Sequence, residues 1–260
     1  MIQAWWMIAS LAIGLFSVCG MSLADEVGSS SKDRSASGFA VVELFTSQGC
    51  SSCPPADRVL SSLAESIDDD QPVFLLSFHV DYWNRLGWDD PYSLPESTAL
   101  QQAYAKAWSS RRVYTPQMVV NGTWEFNGGS ESKARLAIKK GLAGEAKSQI
   151  RLQSQIDRAS ALAKVAFKID GAVEDHRLNV ALVSSKAGNE VPRGENRGRT
   201  LRHVNVVRSF KSQRLTQSEG QVELAIPADF DVDSGVVVAY VQRRNDAVLT
   251  GAVAKTLEKR

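Results

Sequence analysis

The sequence predicts an α/β domain followed by a small antiparallel β-sandwich-like domain. Two nearly continuous apolar runs, residues 39–47 and 73–80, are typical of strands that are covered on both faces of a sheet. A helical pattern lies between them, so the two strands should be parallel and joined by a right-handed crossover. After about Gln149 the apolar residues alternate with polar ones, which indicates antiparallel strands.

The first predicted domain, residues 39–146, begins with the strand at 39–47 and continues into a helix. Pro54 and Pro55 mark the start of this helix, because proline lacks the amide hydrogen that the first helical turn leaves unpaired. The helix should end before the acidic segment "DDDQP" and bury one apolar face. That face consists of Val59, Leu60, Leu63, Ala64 and Ile67.

Two more helices and a β-hairpin are predicted in the rest of this domain. The pair Asn121-Gly122 is a strong signal for a two-residue turn between strands. The last helix should cover about residues 131–142, with Ser130 or Ser132 as its cap. The middle helix carries an apolar stripe of Leu100, Ala103, Tyr104, Ala107 and Trp108.

The second predicted domain, residues 147–260, contains the alternating strands. The segment "GLAGEAKS" is the predicted boundary between the domains. The arginine-rich stretch "PRGENRGRTLRH", residues 192–203, is interpreted as a solvated hairpin loop. Binding an anion or a partner, or docking onto the first domain, are the alternatives for this loop. The alternating groups are 165–169, 178–182, 222–226 and 236–240.

Composition and charge limit the classes of function. The 260 residues are 43% hydrophobic and 23% charged, which is typical of a soluble globular protein with a buried core. The formal net charge is +1, so the chain has no basic field that would attract nucleic acid. No nucleic-acid partner is therefore expected.

The N-terminal segment predicts export from the cytoplasm. Residues 1–23 contain no charged side chain, and Ser22 and Ala24 occupy the small-residue positions that a signal peptidase recognises. Residues 1–24 are therefore predicted to be a signal peptide, and residues 25–38 a flexible leader. The alternative is an uncleaved membrane anchor, because the uncharged run is long enough to span a bilayer. In both cases the rest of the chain is expected to be periplasmic or secreted, and contact with a membrane is expected only if the segment is not cleaved.

Cys50 and Cys53 form a C-x-x-C motif at the predicted junction of a strand and a helix. If Cys19 leaves with the signal peptide, they are the only cysteines of the mature chain. The free amide groups and the positive dipole end of a helix stabilise a thiolate, so Cys50 is expected to be the attacking nucleophile beside an accessible groove. Cys53 is expected to be the more buried thiol that resolves a mixed disulfide.

Two other interpretations of the cysteine pair stay open. One is an inert local staple, although a bridge that closes so short a loop removes little entropy from the unfolded chain. The other is a metal clip, in which His79 joins the two cysteines in a site suited to Cu(I) or zinc. A closed zinc site normally needs a fourth ligand, and the sequence shows no evident one. The prediction is therefore a redox pair without a metal.

Four stretches of the sequence resemble an uncharacterised family of secreted bacterial thioredoxin-like proteins with a β-rich C-terminal part. They are "ELFTSQGCSSCPPAD", "FHVDYWNRLGWDDPYS", "YTPQMVVNG" and "GENRGRTLRHVNVVRSF". The resemblance covers nearly all of the mature chain and implies a thioredoxin-like first domain. It also implies that Thr115-Pro116 contains a cis-proline that faces the two cysteines. Pro116 is therefore predicted to act with Cys50 and Cys53, and Thr115 to pair through its backbone with a substrate strand.

An aromatic segment after the second strand provides a predicted groove for substrate. Tyr82, Trp83 and Trp88, with Tyr92, are expected to line an apolar surface beside the cysteines that grips an unfolded or peptide substrate. The alternative is an aromatic plug that covers one face of the sheet.

These residues predict an extracytoplasmic thiol-disulfide oxidoreductase that acts on protein or small-molecule thiols. No cofactor is expected, because the cysteine pair itself carries the two electrons. The expected partners are a thiol or disulfide substrate and a redox partner that regenerates the pair. The alternative functions are a non-catalytic binding module of the envelope, and a copper or zinc carrier that uses the same cysteines.

Overall fold

The structure is a computed structural model that describes residues 37–110 and 112–257. The predicted signal peptide, residues 1–24, and most of the predicted leader, residues 25–38, lie outside the described residues. Within the described ranges, no helix has the length and apolar character that crossing a membrane requires.

The first half of the described chain alternates strands and helices. Its elements are β1 (Ala40–Thr46), α1 (Pro54–Ser66), β2 (Val73–His79), α2 (Pro95–Ala107), β3 (Gln117–Val120), β4 (Trp124–Asn127) and α3 (Glu131–Leu142). Strand β1 pairs with β2 in parallel and with β3 in antiparallel orientation, and β3 pairs with β4. The predicted start of the first helix at Pro54 and the predicted span of the last helix are confirmed.

Antiparallel strands make up the second half of the described chain. They are β5 (Gln149–Asp157), β6 (Leu162–Asp170), β7 (His176–Val191), β8 (Arg199–Arg214), β9 (Glu219–Ala225), β10 (Gly235–Arg243) and β11 (Leu249–Thr256). Strands β7 and β8 contain 16 residues each and form one long hairpin. The arginine-rich stretch therefore splits into a loop, residues 192–198, and the first part of β8.

The predicted fold class is wrong. The strands form one mixed sheet of eight, in the order β11-β10-β7-β8-β2-β1-β3-β4, and a second sheet of three, β5-β6-β9. The described residues contain three α-helices, so the protein is mostly β rather than a thioredoxin-like α/β domain followed by a separate β-sandwich. The large sheet is continuous because the edge of β2 is occupied: Ser77 pairs with Val206 of β8 in parallel register. The apolar sequence of β2 shows that its faces are buried, but it does not show which strand lies beside its edge.

Side chains alternate between the two faces along each strand, so each strand of the eight-stranded sheet contributes to both faces. Other elements pack on each of these faces. On one face, α2 packs over a core that includes Val41 and Phe45 of β1 and Val238 and Tyr240 of β10. On the other face, α1 and α3 cover the strands of the first half, and the three-stranded sheet covers β7 and β10. One core thus draws on both halves of the chain.

The large sheet curls, so that distant strands meet across this shared core. Strands β7, β8 and β2 separate β10 from β1, yet the Tyr240 hydroxyl on β10 donates to Glu43 on β1 at 2.5 Å. The Tyr104 hydroxyl on α2 donates to the other oxygen of the same carboxylate. At the start of β11, the Leu249 amide donates to the Asn121 carbonyl oxygen at 3.0 Å. The curl therefore brings the β10–β11 hairpin onto the turn between β3 and β4.

Gly122→Ala is expected to lower the free energy of unfolding by about 2–4 kcal/mol. The predicted turn at Asn121-Gly122 is confirmed, and both residues have positive φ, 51° and 64°. A Cβ on Gly122 would lie 1.9 Å from the carbonyl oxygen of Ala247 in the β10–β11 hairpin. Urea denaturation measures the loss. Gly87→Ala is the control, because Gly87 has φ +94° and no atom within 4 Å of an added Cβ. Equal losses in the two variants would show that the close approach is unimportant.

Candidate functional site

The cysteine turn, residues 47–53, connects the end of β1 to the start of α1. Cys50 and Cys53 are joined by a disulfide, and their Cα atoms lie 5.5 Å apart. The Cys53 amide donates to the Cys50 carbonyl oxygen at 3.2 Å, and the Cys53 carbonyl oxygen accepts from the amides of Ala56 and Asp57 in α1. The pair thus lies at the N-terminus of a helix.

Both cysteines are buried. Cys50 and Cys53 each have 0% of their surface exposed, whereas Ser51 and Ser52 between them are exposed. The Cys50 Sγ atom lies 3.3 Å from Ser52 Oγ. The expectation that Cys50 faces an accessible groove is not met in this conformation. The residues that cover the sulfur atoms are therefore part of the site.

Thr115 and Pro116 lie beside the cysteine turn. The peptide bond between them is cis, as the resemblance implies. The Ser52 hydroxyl donates to the Thr115 carbonyl oxygen at 3.5 Å, and Thr115 Oγ1 accepts from Trp83 Nε1 at 2.8 Å. A Cβ placed on Gly49 would lie 3.0 Å from Trp83 Cβ, so Trp83 also contacts the turn. The structure thus brings three of the predicted site residues together around the turn.

Trp88 and Tyr82, two of the other predicted aromatic residues, differ in their placement, and the hydroxyl oxygen of Tyr92 accepts a hydrogen bond from the Gly188 amide on β7 at 3.0 Å. Trp88 Nε1 donates to Gln48 Oε1 at 3.1 Å, so Trp88 contacts the cysteine turn. The Tyr82 hydroxyl donates to Gln101 Oε1 on α2 at 3.2 Å, and burial raises the pKa of Tyr82. Trp83 and Trp88 are therefore the aromatic residues that reach the turn directly, while the hydroxyl of Tyr82 is engaged with a helix.

The covering loop, residues 192–198 between β7 and β8, lies on the cysteine turn. The side-chain amide of Asn196 donates to the carbonyl oxygens of Gln48 and Cys50, each at 2.9 Å. Its oxygen accepts from Arg199 Nη1 at 3.1 Å, and the residue has no exposed surface. The loop is therefore docked, which was the alternative to the solvated loop that the sequence favoured.

Glu195 makes a second contact between the covering loop and the turn. Its carboxylate accepts from the Ser51 amide at 3.0 Å, and hydrogen bonding from Ser51 lowers the pKa of Glu195. A Cβ placed on Gly194 would lie 3.5 Å from Trp88 Cβ, so the loop also lies against the aromatic segment. Together these contacts close the side of the turn that the loop faces.

A buried ion pair lies next to the cysteine turn. The Asp90 carboxylate accepts from His79 Nδ1 at 2.7 Å and from the amides of Gln48 and Tyr92 at 2.8 and 3.0 Å. Burial alone lowers the pKa of His79, but the charge and hydrogen bond of Asp90 outweigh it, and the pKa is raised. Burial likewise acts to raise the pKa of Asp90, but His79 and the two amides lower it overall. The pair therefore favours a protonated His79 and an ionised Asp90.

His203 on β8 connects this pair to the long hairpin. The rings of His203 and His79 are 4.6 Å apart and nearly perpendicular. His203 Nε2 lies 3.2 Å from Gln48 Nε2, and His203 Nδ1 lies 3.6 Å from Asp57 Oδ1. Gln48 Nε2 also donates to Asn189 Oδ1 on β7 at 2.6 Å. Gln48 thus fastens the cysteine turn to the second half of the chain.

One protein family matches most of this chain, including the cysteine turn and the covering loop. Its description is "Protein of unknown function (DUF1223)", and the match covers residues 41–242. The chain belongs to this family. Among curated proteins, none is detectably similar in sequence to this family member.

Solved structures from two bacteria are similar to this DUF1223 family member. A crystal structure of an Agrobacterium tumefaciens protein is 27% identical, with a TM-score of 0.59 over 85% of this chain and 97% of that chain. HBP35 of Porphyromonas gingivalis is 16% identical, with a TM-score of 0.61 over 86% of this chain and 77% of that chain. A domain of the outer membrane lipoprotein Omp28 from the same organism is 14% identical, with a TM-score of 0.29 over 44% of this chain. The first two share the overall architecture of this chain.

The metal-clip interpretation required Cys50, Cys53 and His79 to meet. In the described part of the chain, no group of three or more His, Cys, Asp or Glu residues is arranged to hold a metal ion. His79 Nδ1 bonds to Asp90, and the two sulfur atoms bond to each other. The chemistry that this arrangement offers is thiol–disulfide exchange at sulfur atoms that first have to become accessible.

Sequence reasoning missed Gln48, Asp90 and Asn196 as parts of the site. Asn196 contacts Gln48 although 148 positions separate them in the sequence, and 42 positions separate Asp90 from Gln48. Periodicity and motif spacing describe single elements, so they do not show which loop covers which turn. The one available signal was the resemblance itself, which included the "GENRGRTLRH" segment together with the cysteine motif.

Proposed function

We propose that this protein is an extracytoplasmic thiol-disulfide oxidoreductase that acts through Cys50 and Cys53. Cys50 is the nucleophile, Cys53 is the resolving thiol, and the backbone at Thr115 and Pro116 receives the substrate, as the resemblance to the thioredoxin superfamily implies. The observation that carries the proposal is the disulfide at the N-terminus of α1, beside the Thr115 carbonyl group. The support is local to the site and independent of the fold class.

A purely structural role explains this disulfide less well. The two cysteines are separated by only 3 positions, and closing so short a loop removes little entropy from the unfolded chain. A sulfur at the N-terminus of α1, by contrast, is stabilised as a thiolate by the positive end of the helix dipole, while Pro54 and Pro55 offer no amide hydrogens there. Thiolate stabilisation makes the bond easier to open and close, so reversible exchange is the function that this position favours.

Exchange at this pair transfers two electrons without a cofactor. A substrate thiolate attacks Cys50 Sγ, a substrate–Cys50 disulfide forms, and Cys53 leaves as a thiolate. A second substrate thiolate attacks the substrate sulfur of this mixed disulfide and releases Cys50 as a thiolate. The substrate loses two electrons and two protons and becomes a disulfide, and the cysteine pair gains the two electrons. In the opposite direction the Cys50 thiolate attacks a substrate disulfide and Cys53 resolves the intermediate.

The uncharged N-terminal segment supports a location outside the cytoplasm, in the periplasm or the medium. Disulfides persist in such compartments, where no reducing glutathione pool opens them. The reaction then needs a second protein or small molecule of the thiol or disulfide class to restore the starting redox state. Contact with a membrane is part of the proposal only if residues 1–24 stay attached.

Cys50→Ser is expected to abolish catalysis of insulin reduction. With dithiothreitol as the electron donor, the full wild-type chain should accelerate reduction of insulin disulfides, and the variant should show only the rate of dithiothreitol alone. Reduced Cys53→Ser, mixed with insulin after dithiothreitol is removed, should instead accumulate a mixed disulfide through Cys50, detected as added mass, because the resolving thiol is missing. Ser66→Ala, at the other end of α1, is the control and should retain the wild-type rate. A folded wild-type chain that fails to accelerate the reaction contradicts the proposal.

A second candidate is a non-catalytic binding module of the envelope. The observation that favours it is the complete burial of both cysteines. In that case the disulfide stays closed during function, and the wild-type chain is inactive in the insulin assay. The same experiment therefore separates the two candidates.

A further inference from the structure

The covering loop is hydrogen-bonded to the backbone of the turn that carries the buried disulfide. A thiolate must reach Cys50 Sγ to exchange with it, and Cys50 has no exposed surface. The two hydrogen bonds from Asn196 hold the loop on the carbonyl groups of Gln48 and Cys50. As long as these bonds are intact, the loop stays on the backbone of the turn at Cys50.

We propose that residues 192–198 form a redox-linked lid, which is closed over the disulfide and opens when Cys50 is reduced. The lid regulates the site of the proposed function, and its biological use rests on that function. The opening and closing of the lid does not depend on that function, because the contacts that close the lid lie within this chain.

Asn196 has the features of a latch. Its side-chain nitrogen donates to two carbonyl groups of the turn, and its oxygen accepts from Arg199, so every polar atom of the side chain is paired in the closed state. Such complete pairing inside a buried position specifies one arrangement of the loop. Opening the lid breaks these hydrogen bonds, but water can then bond to the freed groups. The free-energy cost of opening is therefore moderate.

Two glycines flank the latch and give the loop freedom to swing. Gly194 and Gly198 have φ values of +78° and +77°, a region that glycine enters without steric cost. The Gly198 amide donates to the Val191 carbonyl oxygen at 2.7 Å and closes the base of the loop. The segment between the glycines can therefore move while the hairpin below it stays paired.

Glu195 links the lid to the redox state. Its carboxylate accepts a hydrogen bond from the amide of Ser51. Ser51 follows Cys50 directly in the chain, just before α1. While the disulfide is intact, Cys50 carries no charge and the Glu195 carboxylate is the anion at the Ser51 amide. A thiolate at Cys50 places a second negative charge next to this amide and repels the carboxylate. Glu195 is exposed, so the repulsion is screened and modest. Asn196 thus contributes most of the free energy that keeps the lid closed, and Glu195 makes this free energy depend on the redox state of Cys50.

The lid is tested by the rate at which dithiothreitol reduces the disulfide in the oxidised full chain. One dithiothreitol thiolate attacks Cys50 Sγ, its second thiolate closes the oxidised ring, and the two freed cysteine thiols are trapped with maleimide and counted by mass. Asn196→Ala is expected to raise the rate about tenfold or more. Glu195→Gln is expected to raise it about twofold to threefold. Glu190→Gln, an exposed position on β7 of the same hairpin, is the matched control and should leave the rate unchanged.

Hydrogen exchange in the wild-type chain tests the redox link without a variant. The amide of Arg197 within the lid should exchange several-fold faster in the reduced than in the oxidised chain. Glu195→Gln should reduce this difference. Equal exchange in both redox states overturns the link, and this measurement also decides the matter if Asn196→Ala fails to fold.

The outcomes separate the lid from the proposed function. A folded Asn196→Ala chain that dithiothreitol reduces at the wild-type rate overturns the lid, even if the chain catalyses insulin reduction. Faster reduction of Asn196→Ala by dithiothreitol, with no insulin reduction by wild type or variant, supports the lid and overturns the oxidoreductase.

Discussion

Asp90→Ala is expected to lower the free energy of unfolding by about 3–5 kcal/mol. The substitution removes three hydrogen bonds from a buried carboxylate, two of them to the amides of Gln48 and Tyr92. It also leaves His79, whose side chain is fully buried, without the charge that compensates its own. Removing one member of a buried pair is costly because the other member stays desolvated and unpaired. Since Gln48 belongs to the cysteine turn, the turn should loosen as well.

Urea denaturation at pH 5.5 measures this loss, with Asp89→Ala as the control. Asp89 is exposed and adjacent in the chain, so its removal should change stability by less than about 0.5 kcal/mol. In wild type the pair contributes fully between about pH 4 and 6.5. The contribution is lost at higher pH as His79 deprotonates at its raised pKa, and at lower pH as Asp90 gains a proton at its lowered pKa. Equal effects of the two alanine variants would contradict the ion pair.

Glu43→Gln is expected to remove a pH dependence of stability worth about 3 kcal/mol. Burial raises the pKa of Glu43 from 4.5 to about 7, against the opposing effect of hydrogen bonds from Tyr104 and Tyr240. Between these two values the folded protein holds a proton that the unfolded chain releases. The free energy of unfolding of wild type therefore falls as the pH rises from 4.5 to about 7, and it levels off above that. Glutamine carries no titrating proton, so the variant should lack this contribution and keep only the pH dependence of other groups such as His79.

Denaturation curves at pH 5 and pH 8 test this prediction. The wild-type chain should be less stable at pH 8, and the Glu43→Gln chain should lose much less between the two pH values. Glu65→Gln, at an exposed position on α1, is the control and should keep the wild-type slope. A Glu43→Gln chain with the full wild-type slope would mean that another group is responsible.

The local elements of the first half were predictable because each depends on nearby residues. Pro54 fixes the start of α1, Asn121 and Gly122 fix a turn, and apolar periodicity fixes the helix faces. The cysteine motif was likewise predictable as a position at a helix start. These features require only a few consecutive residues and general rules about caps, turns and periods.

The sheet and the cover of the site were not predictable in the same way. A strand that is buried on both faces has the same sequence pattern at any place inside a sheet, so nothing in β2 indicates that β8 lies beside it. The Cys50 carbonyl oxygen accepts a hydrogen bond from Asn196, which a charge-rich loop pattern places in solvent. Both errors concern which distant segments meet, and a single sequence does not contain that information in its local patterns.

The pairing of Ser77 with Val206 has a consequence for the order in which the chain is made. Ribosomes release the first half, with β1 to β4 and the cysteine turn, before β8 exists to cover the edge of β2. An uncovered strand edge is a template for wrong pairing between chains. Synthesis therefore has to pass Val206 before the nascent first half is safe from such pairing.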